Sequence, residues 1–150
     1  MEGNMKAAIL YGPRDIRVEE IPIPKINADQ VLIKVEKCGI CPSDVRRYVG
    51  VKKMFKPRMV PGHEFSGTVI EVGDAIKDIN IGERVVSDWA IRCGKCYFCR
   101  INLPNYCLNL RRFQEESNGA FAQYTISFPS SIYKIPDSVS FEEAALTEPL

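Results

Sequence analysis

Excess charge is the first thing this chain of 150 residues lacks. Twenty Lys and Arg stand against 19 Asp and Glu, a net charge of +1. The electrostatic footprint of a nucleic-acid binder is therefore missing, and no basic run of five or more occurs. Long apolar runs are missing as well. Ala7 to Tyr11 is typical of the longest, about a quarter of the roughly 20 residues needed to span a bilayer. Residues 1–6 do not follow the basic-then-apolar plan of an export signal. The ten glycines stand at 3, 12, 39, 50, 62, 67, 73, 82, 94 and 119. No two are two residues apart, so the dinucleotide fingerprint G-x-G-x-x-G is absent. Gly62 and Gly67 have Walker-like spacing, but Thr68 follows where a phosphate loop needs Lys. Histidine occurs once, as His63, and six Cys are too few for a disulfide scaffold. What remains is the expectation of a globular, cytoplasmic protein with reduced thiols and neither nucleic-acid nor membrane partners.

The first half alternates apolar and polar residues. Ile16 to Glu19, Val31 to Glu36, Thr68 to Val72 and Glu83 to Val86 read as short strands separated by Gly, Pro and Asn-rich turns. Strands of this length and spacing favour a β-barrel or sandwich. Ser43 to Tyr48 reads as a short helix stopped by Gly50. Ser140 and Glu143 form a capping box that opens a helix through Leu146, ending before Pro149. Residues 87–119 have weak periodicity and need another source of order.

That source is written in the same stretch. Cys93, Cys96, Cys99 and Cys107 are spaced C-x2-C-x2-C-x7-C. Four thiolates suit a closed, tetrahedral zinc, a structural rather than a reactive site. Arg92, Lys95, Arg100, Arg111 and Arg112 are available to offset its negative charge. The competing reading is a set of buried or disulfide-linked thiols. The other two Cys lie in Cys38-Gly39-Ile40-Cys41-Pro42-Ser43-Asp44. Taken alone they are open to a redox pair or a shared second metal, and a lone His63 is open to a purely structural role.

Taken together, Gly-Ile-Cys-x-Ser-Asp, Gly-His-Glu-x-x-Gly, the four-Cys loop and Glu-Pro-Leu resemble the zinc-containing medium-chain dehydrogenases. The likeness is strongest to the polyol, sugar and threonine dehydrogenase branch and covers essentially the whole chain. It implies a mainly β fold, a GroES-like irregular β-barrel with short helices and a zinc-binding loop, filling residues 1–150. It implies one catalytic and one structural zinc. By the same resemblance Cys41 and His63 are catalytic zinc ligands, with Glu64 or Glu148 in the third position. Ser43 hands on the substrate proton, Asp44 supports the site, and the four loop Cys hold the structural zinc. Cys38 falls where the family has no ligand and is read as a small buried residue.

The chemistry of these residues agrees. A thiolate, an imidazole and a carboxylate leave zinc near neutral with a fourth position open to an alcohol, whose hydroxyl the metal acidifies. The hydride then released needs NAD(P), because no side chain accepts one. Two features depart from the family. Arg46 stands where many members carry a relay His, and Arg does not deprotonate; the run Arg46-Arg47-Tyr48 is read as a solvated helix face. The nucleotide-binding domain is also absent from these 150 residues. The chain is therefore expected to be the catalytic domain of an NAD(P)-dependent alcohol or polyol dehydrogenase, inactive by itself. Apolar surface near Phe141 to Leu150 is expected to be uncovered and to drive self-association. The alternatives are a non-catalytic, stand-alone zinc-binding β-barrel and a thiol redox or metal-storage protein.

Overall fold

The computed structural model describes residues 2–149. Strands β1 (Asn4–Gly12) and β2 (Asp15–Pro22) form an antiparallel hairpin. In β1 the inward residues Met5, Ala7 and Ile9 alternate with more exposed ones, the period of a half-buried strand. Strand β3 (Val31–Cys38) runs to helix α1 (Pro42–Tyr48), followed by β4 (Phe65–Val72) and β5 (Arg84–Ser87). A two-stranded ribbon, β6 (Ala90–Ile91) and β7 (Arg111–Arg112), brackets the cysteine-rich lobe and its one-turn helix α2 (Tyr97–Arg100). Then come α3 (Phe113–Glu116), β8 (Tyr124–Ser127), β9 (Ile132–Lys134) and α4 (Phe141–Ala145).

Five strands make one antiparallel sheet in the order β8-β3-β4-β5-β9. Its edge strands β8 and β9 are joined by a turn at Pro129–Ser131, so the sheet curls until its edges approach. Side chains make the seam: the Ser87 hydroxyl lies 3.3 Å from that of Ser127, which lies 3.2 Å from that of Ser131. All three serines are buried and hydrogen-bonded, as buried hydroxyls must be. The hairpin is tied on by backbone bonds from Ala8 to Phe121 and between Leu10 and Met59.

Val31, Leu32 and Ile33 are all fully buried, because β3 is covered on both faces. Val31 and Ile33 join Phe65, Val69, Val85 and Phe113 in the main core. Leu32 points the other way, into a second cluster with Met5 and Ile23. Two irregularities in the β3–β4 register, the second between Val35 and Lys37, bend the chain toward the segment leading to Cys41.

The strands and helices anticipated from the sequence are present, with bounds that differ by a few residues. The capping box of α4 is formed in both directions. This helix stops at Ala145, however, so Glu148 lies beyond it rather than on it. The chain bends there because Pro149 disfavours helical geometry at Glu148. Of the terminal apolar surface, Ala144 and Ala145 are buried, and Phe141 lies under the Arg84 guanidinium at 4.5 Å. Leu146 is exposed, and Leu150 lies outside the described residues. No described helix is long and apolar enough to cross a membrane.

Candidate metal centres

In the lobe, the four Cys sulfurs lie within 4.8 Å of one another. The Cys96–Cys99 and Cys93–Cys107 sulfurs are each 3.5 Å apart. A disulfide needs about 2.05 Å, whereas the edge of a tetrahedron with 2.3 Å metal–sulfur bonds is roughly 3.8 Å. All six cysteines are free thiols. The geometry fits a closed zinc site and sets aside disulfide pairing.

Amide groups do the electrostatic work that the basic residues were expected to share. Backbone N–H groups of Lys95 and Cys96 pull the Cys93 thiol down to about 6. Those of Cys99 and Leu108 lower Cys96, while burial pushes Cys99 up to about 12. Three of the arginines are engaged with carboxylates or amides instead: Arg92 with Asp88 and Asn105, Arg111 with Glu116, and Arg112 with Glu115. Two one-turn helices and the β6–β7 ribbon give this stretch more regular structure than its sequence suggests, though none exceeds four residues.

The second cluster is built on the barrel. Cys41 caps α1, and its sulfur accepts the Ser43 N–H at 3.4 Å. His63 and Glu64 arrive from the start of β4 after a turn at Gly62, whose φ of +89° is one that only glycine adopts without strain. A Cβ at Gly62 would lie 2.8 Å from the Phe121 nitrogen. Gly39 matters for a different reason: a Cβ there would lie 2.7 Å from the Glu64 carboxylate. One ligand atom each from Cys41, His63 and Glu64 falls within 4.8 Å of the others. Sulfur, imidazole and carboxylate at this spacing fit zinc.

The cluster opens on a cavity of about 550 Å³ that Ser43, Arg47, Trp89, Gln114 and Glu148 also line. Glu148 is thus in the cavity but outside the three-residue cluster. Burial and the neighbouring Glu64 charge push its carboxyl up to about 7. Asp44 is buried; its Oδ1 accepts from the Gly62 N–H at 3.5 Å and from Gln114 at 3.3 Å. Its Oδ2 faces His63 Nδ1 at 3.7 Å, and neither atom has a hydrogen-bond partner. Burial lowers the His63 pKa, favouring the neutral imidazole that a metal requires. Cys38 is half-buried with its thiol pushed up, donating to the Gly39 carbonyl at 3.5 Å, and belongs to neither cluster.

One sequence reading fails here. Arg47 is not on a solvated face: it is 2% exposed, whereas Arg46 and Tyr48 are exposed. A three-residue step along α1 puts Arg47 on the same buried side as Asp44, and that spacing was the available signal. Gln114 and Trp89 had none, because they reach the cavity only through the lobe's return to the barrel, where Phe113 packs on Phe65 at 5.3 Å.

Comparison with known proteins agrees with this architecture. Residues 27–137 match the alcohol dehydrogenase GroES-like domain. The chain is 39% identical over 97% of its length to sorbitol dehydrogenase of Bacillus subtilis, and 37% identical over 91% to L-threonine 3-dehydrogenase of Xanthomonas oryzae. It spans only 42% and 41% of those proteins. The structure of 2R,3R-butanediol dehydrogenase from Bacillus subtilis superposes with a TM-score of 0.82 at 32% identity, over 98% of this chain and 44% of that one. This mainly β chain, with its two candidate metal clusters, belongs to the alcohol dehydrogenase GroES-like domain family.

Proposed function

We propose that this chain is the metal-holding catalytic domain of an NAD(P)-dependent dehydrogenase that oxidises a secondary alcohol or polyol. The observation that carries the proposal is the convergence of Cys41, His63 and Glu64 on the wall of a cavity that Ser43 also lines. The named relatives act on sorbitol, threonine and butanediol, each a secondary alcohol.

Cys41, His63 and Glu64 would hold a zinc ion, which when bound acidifies an alcohol hydroxyl at the open position. Facing Asp44 with Nδ1, His63 offers Nε2 as its ligand atom. Asp44 in turn orients the ring and steadies it electrostatically. We assign Glu64 rather than Glu148 to the third position because it lies in the cluster. Glu148, held near neutral pH in its titration, faces the same cavity as a second carboxylate. Ser43 Oγ accepts a hydrogen bond from Arg47 at 3.2 Å, which leaves its own proton and a second lone pair for the substrate hydroxyl. Arg46, exposed, takes no part in that relay. The four-Cys lobe would carry the structural zinc.

The purified chain is expected to bind two zinc ions, with His63→Ala and Cys107→Ser each losing one. Mixed with zinc, NAD or NADP and sorbitol or 2,3-butanediol, the chain alone is expected to reduce no cofactor. No spaced-glycine loop within it holds a pyrophosphate beside the cavity. Two zinc ions retained in His63→Ala would overturn the metal assignment, and measurable turnover would overturn the domain reading.

A further inference from the structure

Three cations lie on the wall of the metal cavity: Arg47, Lys52 and Arg112. Arg112 is answered by Glu115 at 3.0 Å. The other two are not matched in that way. Arg47 donates to the carbonyl and hydroxyl of Ser43 at 3.3 and 3.2 Å, and its nearest carboxylate oxygen, on Asp44, stands at 3.8 Å, beyond a hydrogen bond. Its Nε is buried without any partner. The Phe55 ring lies 4.1 Å from the guanidinium carbon and shields it from water. A desolvated guanidinium with an unused donor is unfavourable until an acceptor reaches it. Lys52 is exposed at the cavity, and no ion pair to it is found among the described residues.

We infer that the substrate is anionic: a polyol carrying a phosphate monoester, with the phosphate held by Arg47 and Lys52. This rests on the dehydrogenase reading above, since the carbinol must still face the Cys41, His63 and Glu64 cluster. The contact between Arg47 and the Ser43 hydroxyl fixes the spacing. It places the anion one side chain from the group that handles the alcohol proton, so phosphate and carbinol are separated by few bonds. Two cations from different segments, α1 and the loop after it, suit a dianion with three acceptor oxygens better than a carboxylate.

The test begins with metal content. Protein carrying fewer than two zinc ions, with His63→Ala losing none, condemns the dehydrogenase reading and this proposal with it. With two zinc ions confirmed, D-sorbitol, D-sorbitol 6-phosphate and L-lactate are titrated calorimetrically into the protein. The phosphate ester is expected to bind about 10- to 100-fold tighter than sorbitol, as charge-assisted hydrogen bonds allow. That preference should shrink at high salt and fall about tenfold in Lys52→Glu, a surface change that does not threaten folding. Arg47→Met should remove most of it. Equal binding of sorbitol and its phosphate, or lactate binding as tightly as the ester, overturns the anion assignment while leaving the metal site standing. So does a Lys52→Glu loss seen with NADP but not with sorbitol 6-phosphate, which would give these cations to the cofactor.

Discussion

The two metal clusters use similar atoms but rest on opposite kinds of support. In the lobe, four sulfurs drawn from fifteen consecutive residues gather around a point, and the surrounding Tyr97, Ile101, Leu103, Tyr106 and Leu108 remain exposed. At the cavity, Cys41 caps a helix and His63 and Glu64 enter a central strand, over a core whose members are almost fully buried. On the reading proposed above, the lobe would depend on a bound metal for its order, whereas the barrel would impose its order on the metal. A closed structural site needs only its own ligands, but an open site must keep its geometry when the fourth position changes.

The sharpest way to break this contrast is to remove one ligand from each. Cys107→Ser should cost one zinc and make residues 93–109 sensitive to limited proteolysis, while the barrel's melting temperature moves by only a few degrees. His63→Ala should cost one zinc as well, yet leave the lobe resistant. Equal protease sensitivity in both variants would show that the lobe and barrel are one cooperative unit.

A smaller effect is expected where the barrel aims His63. Gly62→Ala must accept a positive φ and a Cβ pressed against Phe121. A loss of roughly 2–4 kcal/mol in chemical denaturation is expected, with weaker zinc binding at the cavity and none lost at the lobe. An unchanged midpoint would mean that this turn is not held as described.

The smallest effect concerns α4, which leads to Glu148. Ser140→Ala removes the helix cap and should cost about 1 kcal/mol. The same helix carries a pH signature. Hydrogen bonds from Ser140 hold Glu143 below its ordinary 4.5, and a bond from Lys37 does the same for Glu142. Carboxyls lowered by folding stabilise above their unfolded pKa, and that contribution is lost as pH falls below about 4.5 through the folded value. In metal-free protein, the amide protection factors of α4, corrected for the intrinsic exchange rate at each pH, should therefore fall on acidification to pH 3 before those of β3 and β4. Protection factors that fall uniformly would contradict it.

Much of this was legible because it is local. Cysteine spacing exposes the lobe, the Ser140–Glu143 pair exposes a helix start, and alternation exposes most of β2 to β5. Strand β8 escaped for a physical reason. Its inward residues are Thr125 and Ser127, fully buried yet polar, so no hydrophobic period marks it. In β1 the run Ala7 to Leu10 hides the alternation of Met5, Ala7 and Ile9. The place of Gln114 on the cavity wall was illegible because it meets Asp44 across 70 residues of sequence. Arg47 was misjudged because charge suggests solvent, while its neighbours Ser43, Asp44 and Phe55 provide a buried setting.

The serine seam has a consequence for the order in which this chain can fold as it is made. Strand β3 pairs with β8, residue Val31 opposite Ser127, so its outer edge waits unpaired while the intervening segment is synthesised. Until Tyr124 to Ser131 leave the ribosome, a strand with an apolar start presents open backbone groups to any neighbour. Its apolar residues Val31, Leu32 and Ile33 sit at the start of that edge. A nascent chain stalled before residue 124 should thus aggregate, and one stalled soon after 134, with the ribosomal tunnel cleared, should be protected.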